Sequence, residues 1–204
     1  PIVRASEFLP QLREKMDIIV NGSKIKQALI HNSNLKLGIT IMAFGFMKKM
    51  FFADNLAPFV DEIFNFPLGY DSFVIIISTI AFGVQVYSDF SGYTDIAIGA
   101  ALILGFKIPA NFNKPFFATS PSDFWARWHI SLSSWIKDYL YLPLVFHFRR
   151  YDLGMIFSIM FSFMLIGLWH GAGWNFIIVG IFHGCYIAGH TIIRKKFPKS
   201  SKHK

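Results

Sequence analysis

Two long apolar segments constrain the fold of this chain more than any other feature of its sequence. Residues 153–169 follow a pair of arginines at 149–150, and residues 173–193 precede a basic cluster at 194–196. Each segment approaches the roughly 20 apolar residues that a helix needs to cross a bilayer. Basic residues gather on the cytoplasmic side of membrane proteins, so we expect both basic ends of this helical hairpin on that side.

The composition of the whole chain points the same way. Hydrophobic residues make up 53% of the 204 residues and charged residues only 16%, with a mean hydropathy of +0.44. Soluble domains carry about 25% charged residues, so a water-soluble globule is unexpected and intrinsic disorder is excluded. A single cysteine excludes an internal disulfide and a CxxC site. The net charge of +8 lies in short clusters beside apolar runs, which argues against a nucleic-acid partner.

We predict an all-α integral membrane protein, a multi-spanning helical bundle with one re-entrant or interfacial helix. Residues 1–204 form a single membrane-embedded region, because no repeat or linker divides them. Residues 1–34 are a polar segment that is cytoplasmic or interfacial, residues 35–194 are the transmembrane core, and residues 195–204 are a basic tail. About four elements of the core are expected to span the membrane fully or in part.

Two segments of the core combine apolar runs with charged side chains. Residues 35–60 span a membrane only if the lysines at 48–49 snorkel or face protein. Residues 73–106 would measure about 51 Å as one helix, more than a bilayer requires, so we expect a break or bend at their polar middle. Asp89 and Asp95 lie there and suit either a cation site or proton relay, or a polar turn with helix capping. We favour the polar turn.

The clearest helix start in the chain is the sequence SPSD at residues 120–123. A capping serine, a proline at the first helical position and an acid three residues after the cap are typical of a helix N-terminus. We predict a helix over residues 121–142 that ends at Pro143. Charged residues lie opposite an apolar, aromatic stripe, so this helix is interfacial or re-entrant. The stripe consists of Trp125, Trp128, His129, Leu132, Trp135, Ile136 and Tyr139.

His170 ends the first long apolar segment and is the first candidate for chemistry. A histidine at membrane depth is a candidate functional residue, and a neutral imidazole can accept a proton from a hydroxyl near pH 7. Gly171 and Gly173 would let a substrate approach the backbone closely. The equally supported alternative is a histidine that caps helical carbonyls or lies at the water interface beside Trp169.

The other histidines carry weaker signals. For His129 alone, a core histidine bonded to a backbone carbonyl is the simpler interpretation, although two histidines on separate membrane elements weaken it. His183 and His190 stand seven residues apart on one helix face, where metal or haem ligands more often stand three or four apart. We favour packing for His183 and a near-interface position for His190, and predict no metal site. Motifs for nucleotide hydrolysis and zinc proteolysis do not occur.

Several ordered motifs resemble the membrane-bound O-acyltransferase family. Residues 86–144 contain the stretches SDFSGYTD and WHISLSSWIKDYLYLPL, and residues 167–184 read GLWHGAGWNFIIVGIFHG. The order and spacing are most similar to the bacterial branch that includes the alginate O-acetylation protein, and less similar to the branch that D-alanylates teichoic acid. Nearly the whole chain is covered. One departure follows YLPL, where relatives carry a GGNR-like stretch and residues 145–154 read VFHFRRYDLG.

The resemblance implies a membrane fold with a tunnel, through which an acyl group moves from a cytoplasmic donor toward an acceptor on the far side. The histidine of the family's WHG motif corresponds to His170, the expected general base, and the WHISLS histidine to His129, which would orient the acceptor or stabilise developing charge. No bound cofactor is implied; the acyl donor, acetyl-CoA or another acyl thioester, is a substrate. The implied substrate-channel residues are Trp125, Trp128, Trp135, Asp138, Trp169 and Asn175.

The resemblance also implies a location and partners. We expect a multi-pass protein of the bacterial inner membrane that transfers an acyl group, with acetyl as the favoured group. Its expected partners are the lipid bilayer and either an exported polysaccharide or a periplasmic or extracellular acetyl-transferring protein. Nucleic acid is not expected. Family members are much longer than 204 residues, so we expect a partial chain.

Two other function classes remain open. A transporter or channel would use Asp89, Asp95 and the histidines as an ion path. It predicts that replacing either aspartate abolishes function while His170→Ala is mild. The other class is a non-catalytic fragment of the acyltransferase fold that is stable only beside other subunits.

Overall fold

A computed structural model describes residues 3–21 and 32–197 of the chain. All regular elements in these two ranges are helical, and no strand occurs in them. The predicted all-α class is therefore confirmed for the described residues. The chain divides into two compact units, Pro1–Asn111 and Phe112–Lys204. Each unit is described separately below.

The first unit is built from four α-helices in its described part. A π-helical turn, Met47–Ala53, joins the second helix to the third without a gap. The predicted span over residues 35–60 therefore lies inside a longer helical segment. The four helices are α1 (Ala5–Val20), α2 (Asn32–Phe46), α3 (Asp54–Asn65) and α4 (Ser72–Ile103).

Helix α4 is continuous over 32 residues, about 48 Å, so the predicted break in residues 73–106 was wrong. Its polar middle is accommodated without a turn. Ser91 and Thr94 are buried, and the Thr94 hydroxyl donates to the carbonyl of Phe90 over 2.9 Å. The sequence-based prediction failed because the Thr94 hydroxyl bonds within its own helix, while the Asp89 and Asp95 carboxylates pair with lysines of the neighbouring helical segment.

A Schellman motif ends α4. Gly105 has a φ of 75°, in the left-handed region that favours glycine. Its N–H donates to the carbonyl of Leu102 over 2.9 Å, and the N–H of Phe106 donates to the carbonyl of Ala101 over 2.8 Å. These two bonds satisfy carbonyls at the helix end and direct Phe106 away from the helix axis.

Glycines bring α2 and α4 into backbone contact. A Cβ on Gly45 would lie 2.7 Å from the carbonyl oxygen of Gly92, and a Cβ on Gly99 would lie 2.5 Å from that of Gly38. No larger side chain fits at these positions without displacing a backbone. Close approach at small residues is the way helices associate in membranes, where lipid removes the hydrophobic drive between them.

The second unit contains five α-helices in its described part. A second π-helical turn, Lys137–Tyr141, connects two of them. The last two helices form a hairpin, in which a Cβ on Gly180 would lie 3.2 Å from the Cα of Gly167. The five are α5 (Pro121–Arg127), α6 (Ile130–Ile136), α7 (Leu142–His147), α8 (Gly154–His170) and α9 (Trp174–Lys196).

The predicted single helix over residues 121–142 was wrong in two respects. It is broken at Trp128 and His129, where the backbone leaves the right-handed helical region. It also continues past Pro143 to His147, because that proline enters α7 directly after the π-helical turn. A proline lacks the N–H that an α-helical ladder needs, and a π turn has already interrupted that ladder.

Two described helices, α4 and α9, are long and apolar enough to cross a membrane, and α8 is a shorter apolar helix. The multi-spanning arrangement and the division at residues 34 and 194 stay predictions. Residues 22–31 and 198–204, which include most of the basic tail, lie outside the described residues.

Candidate active site

Helix α5 begins as predicted and positions the segment that carries His129. The N–H of Asp123 donates to the Ser120 hydroxyl over 3.1 Å, which caps the helix. The Asp123 carboxylate accepts from the N–H of Thr119 over 3.0 Å and from the Arg127 guanidinium over 2.8 Å. These two donors, the guanidinium above all, hold the pKa of Asp123 below its usual range.

His129 lies at the break between α5 and α6 in a left-handed backbone conformation, with φ 43° and ψ 53°. Such a conformation is uncommon outside glycine and costs of order 1–3 kcal/mol. The residue is only 5% exposed. Its Nδ1 accepts the N–H of Leu132 over 3.4 Å, so the ring caps α6. The neutral ring then carries its proton on Nε2, which is a hydrogen-bond donor.

His129 and His170 contact the same indole. The Trp169 ring lies 6.3 Å from the His129 ring and 5.0 Å from the His170 ring, measured between centroids, and both contacts are edge-to-face. His170 is the last residue of α8 and is exposed, whereas His129 is buried. The structure therefore places the two histidines that were predicted to act together, from separate segments of the chain, against one indole ring.

The turn after His170 differs from the expectation for its glycines. A Cβ on Gly171 would lie 2.6 Å from Cδ2 of the Phe176 ring. Gly171 thus makes room for an aromatic ring of α9 rather than for a substrate. Asn175, a predicted channel residue, is exposed on the first turn of α9, on the same hairpin turn as His170.

A cavity of about 500 Å³ lies within the second unit, between the α5–α6 segment and the α8–α9 hairpin. Among its lining residues, Trp125 is one helical turn before His129 in the sequence, and Ile166 is one turn before His170. The lining reaches toward both histidines without including either. It consists of Ser122, Trp125, Ala126, Ile130, Ser133, Ser134, Ile136, Lys137, Tyr141, Ile159, Ser162, Phe163, Ile166, Ile187 and Thr191.

The cavity is mainly apolar, and several of its hydroxyl groups donate their protons to helix carbonyls. Ser133 donates to Trp128 over 3.0 Å, and Ser162 to Ser158 over 2.7 Å. Thr191 donates to its own helix in the same way over 2.7 Å. The hydroxyl oxygens keep lone pairs that can accept from a ligand. Lys137, on the π-helical turn, adds one positive charge to the lining.

The predicted channel residues occupy different surroundings. Trp125 lines the cavity and contacts Phe163, with ring centroids 5.0 Å apart. Trp128 packs against three phenylalanines, and Trp135 against Tyr139 at 5.3 Å. Asp138 is exposed on the π-helical turn. These four roles stay predictions.

The two histidines of α9 are also placed. The His183 ring packs edge-to-face against Trp125, with centroids 5.2 Å apart, as expected for a packing residue. His190 is half-buried, and its Nδ1 lies 3.4 Å from the Ser122 hydroxyl. Within the described ranges, no group of three histidine, cysteine or acidic side chains could hold a metal ion.

Sequence reasoning missed the pairing of charges in the first unit. Lys48 Nζ lies 2.6 Å from an Asp95 oxygen, and Lys49 Nζ lies 2.8 Å from Asp54 and 2.6 Å from Asp89. Ionisable groups within membrane helices tend to pair. The two lysines and two aspartates within the apolar runs could therefore have been predicted to form ion pairs. The ammonium groups occupy the place that a bound cation would take beside these aspartates.

Comparison with known proteins covers nearly the whole chain. Residues 1–203 match the family model MBOAT, membrane-bound O-acyltransferase family. The chain is 39% identical over 190 residues to a peptidoglycan O-acetyltransferase of Helicobacter pylori, which covers 93% of the chain and 34% of that protein. It is 43% identical over 159 residues to a probable alginate O-acetylase of Azotobacter vinelandii, which covers 77% of the chain and 31% of that protein.

A teichoic acid D-alanyltransferase of Bacillus subtilis is 41% identical over 97 residues, which is 44% of the chain and 24% of that protein. The chain spans about a third of the length of the first two relatives.

Proposed function

Because this chain belongs to the membrane-bound O-acyltransferase family, we propose that it forms part of an enzyme that transfers an acyl group, acetyl in the first place, to a hydroxyl of a cell-envelope polysaccharide or of a relay partner. Two relatives are named for O-acetyl transfer and one for D-alanyl transfer, and both groups are acyl groups. The observation that carries the proposal is the contact of Trp169 with both histidines, beside a cavity that can hold a substrate.

In the proposed reaction, His170 is the general base. Its imidazole takes the proton of the acceptor hydroxyl while the hydroxyl oxygen attacks the carbonyl carbon of an acyl thioester, such as acetyl-CoA. The carbon–sulfur bond then breaks, and the imidazolium returns its proton to the leaving thiolate. The ester and the thiol are the products, and the histidine is regenerated. His129 would donate from Nε2 to the carbonyl oxygen as negative charge develops there.

The cavity supports a path for one of the substrates toward these histidines. Its lining extends from Thr191, near the basic end of α9, to Ile166, one turn before His170. Since basic ends face the cytoplasm, the donor would enter at the Thr191 end and the acceptor would approach His170 from the other side. Lys137 would neutralise part of an anionic donor, and the apolar lining would exclude water from the thioester.

The proposal includes a multi-pass arrangement in the bacterial inner membrane. The apolar helices α4, α8 and α9 support it, as does membership of a membrane-bound family. Helices α5 and α6 are too short to span a bilayer, since together they cover residues 121–136, and they suit the re-entrant element.

The first experiment replaces His170 in the full natural reading frame. We expect His170→Gln to lower the O-acetyl content of the envelope polysaccharide by at least about 100-fold, because removal of a general base costs 10²–10⁴ in rate. The measurement is ester content per unit of polysaccharide at matched membrane protein levels. His147→Gln, which changes an exposed histidine on α7, is the matched control. Normal acetylation in the His170 variant would contradict the proposed role.

The same assay separates the other two function classes. A transporter would lose function with Asp89→Asn or Asp95→Asn and tolerate the change at His170, which is the reverse of our expectation. The fragment class is tested by expressing residues 1–204 alone. A well-behaved monomer of this segment that transfers acyl groups in detergent would exclude that class.

A further inference from the structure

Helix α1 is attached to the segment that follows α4. The Gln11 side-chain amide donates to the Lys107 carbonyl over 2.9 Å and accepts from the Lys107 N–H over 2.8 Å. Phe8 contacts Phe106 with ring centroids 5.2 Å apart, and the ammonium of Lys15 lies 5.3 Å from the Phe106 centroid. Because α4 ends at Ile103, these contacts hold α1 directly at the end of a membrane-capable helix.

The three attached side chains of α1 lie on one face, and a second face is apolar and uncovered. Leu9 is 44% exposed, Met16 is 54% exposed and Val20 is 78% exposed. At 100° per residue these three fall within about 40° of one another on the helix. No residue of α1 is buried, so it is not a core helix of this unit. We call Leu9, Met16 and Val20 the apolar stripe.

The charged residues of α1 are distributed as in a helix that lies along a membrane surface. Arg13 is exposed and adjacent to Val20 on the helical wheel, where its guanidinium can reach lipid phosphates. Glu7 and Glu14 are exposed on the far side. Helix α1 therefore presents one face attached to the segment after α4, one face that carries the apolar stripe and one face that carries Glu7 and Glu14.

We propose that α1 lies in the headgroup–acyl boundary of the bilayer at the end of α4, with the apolar stripe in the lipid and Glu7 and Glu14 in water. The lipid bilayer is the occupant that the observations favour, since α4 has the length and composition to bring its own end, and the attached helix, to the membrane surface. The Gln11–Lys107 pair of hydrogen bonds then sets the depth at which α4 leaves the membrane.

The test measures the lipid exposure of single positions in the full natural reading frame. The variants Met16→Cys and Leu9→Cys are compared with Glu14→Cys and Glu7→Cys, each in a background with Cys185→Ser and any other cysteine replaced. An environment-sensitive fluorophore is attached to each, and the protein is reconstituted into phosphatidylcholine vesicles with or without lipid brominated close to the headgroup. The brominated lipid quenches the fluorophore on contact, so quenching reports directly on exposure of each position to lipid.

We expect blue-shifted emission at positions 9 and 16, and quenching by shallow bromines at least about twofold stronger there than at positions 7 and 14, because interfacial helices bury their apolar face about 5–10 Å deep. Water-like emission at all four positions would overturn the proposal in favour of a cytoplasmic helix. Blue-shifted emission without quenching at positions 9 and 16 would overturn it too, since protein would then cover the stripe.

A second variant tests the attachment. Gln11→Glu removes the donor to the Lys107 carbonyl, and we expect it to lower the quenching difference between positions 16 and 14 by about half while the protein stays in the membrane. Glu14→Gln, labelled at position 16, is the matched control on the water-facing side and should leave the quenching unchanged. An unchanged difference in Gln11→Glu would overturn the role of the hydrogen bonds in setting depth.

Discussion

At the scale of single residues, His129 combines three properties: it is buried, its backbone is left-handed, and its ring caps the following helix. Each property limits what can replace it. A left-handed backbone favours glycine and asparagine, and an N-cap favours a side chain that accepts a hydrogen bond. His129 is thus held in a costly conformation in which its ring lies edge-to-face with Trp169, the residue before His170.

The first residue-scale prediction separates the fold from the chemistry at this position. We expect His129→Asn to fold with stability within about 0.5 kcal/mol of the original, because asparagine tolerates the left-handed region and caps helices well. Transfer should still fall at least about tenfold, since the imidazole donor is gone. His129→Ala should lose activity and about 1–2 kcal/mol of stability as well.

Thermal unfolding in detergent and ester content measured on the same preparations check this pair of variants. Full activity in His129→Asn would show that the residue is a structural cap without a part in transfer. A destabilised asparagine variant would contradict the argument from backbone conformation.

At the scale of helices, two π-helical turns carry charged residues of this chain. Met47–Ala53 holds Lys48 and Lys49, and Lys137–Tyr141 holds Lys137. A π turn widens the helix locally and is frequent at functional positions. In the first unit the turn contributes both lysines to ion pairs, including the pairs with Asp89 and Asp95 on α4. These pairs tie a segment after α2 to the polar middle of α4, next to the glycine contacts.

The element-scale prediction concerns the pair formed by Lys48 and Asp95. We expect Lys48→Met to destabilise the protein by roughly 1–3 kcal/mol, because it leaves a half-buried carboxylate without its partner. The double variant Lys48→Met with Asp95→Leu should recover most of this loss, since both charges are then removed. Lys36→Met, which changes an exposed lysine on α2, is the matched control.

The unfolding temperature of the full natural chain in detergent measures this coupling. Additive losses in the double variant would mean that the two residues act independently and that the 2.6 Å contact contributes nothing to stability. Recovery of stability with loss of acyl transfer would indicate that the pair also serves function.

At the scale of the whole molecule, the cavity of the second unit exists only because α5, α6, α8 and α9 surround it. No single helix forms its walls. Its volume of about 500 Å³ falls in the range of small-molecule sites, which are mostly apolar with a few polar groups. Ala126 offers a direct way to fill it, because its side chain is small, exposed and part of the lining.

We therefore predict that Ala126→Trp lowers acyl transfer at least about tenfold by occupying the proposed substrate path, with little change in unfolding temperature. Ala43→Trp, on an exposed position of α2, controls for the added bulk. Transfer and unfolding temperature are measured on both variants in the full natural reading frame. Unimpaired transfer in Ala126→Trp would remove the cavity from the proposed path.

The sequence by itself determined the helical class, the start of α5 at Ser120 and the end of α8 at His170. Each depends on neighbouring residues: apolar runs, a serine–proline–acid cap, and a glycine after the last helical residue. Its motifs also selected the two histidines that contact Trp169. Periodicity could not show the break at His129, because the spacing of apolar residues continues across it.

Only the tertiary structure decided which groups meet. Asp89 and Asp95 stay inside a continuous helix because lysines from another helical segment neutralise them, and Gly171 is needed because the Phe176 ring fills the space beside it. The cavity and the attachment of α1 to Lys107 likewise join residues far apart in the chain. Local sequence patterns indicate which secondary structure each segment can form. Ion pairing and side-chain packing depend on which segments the fold brings into contact.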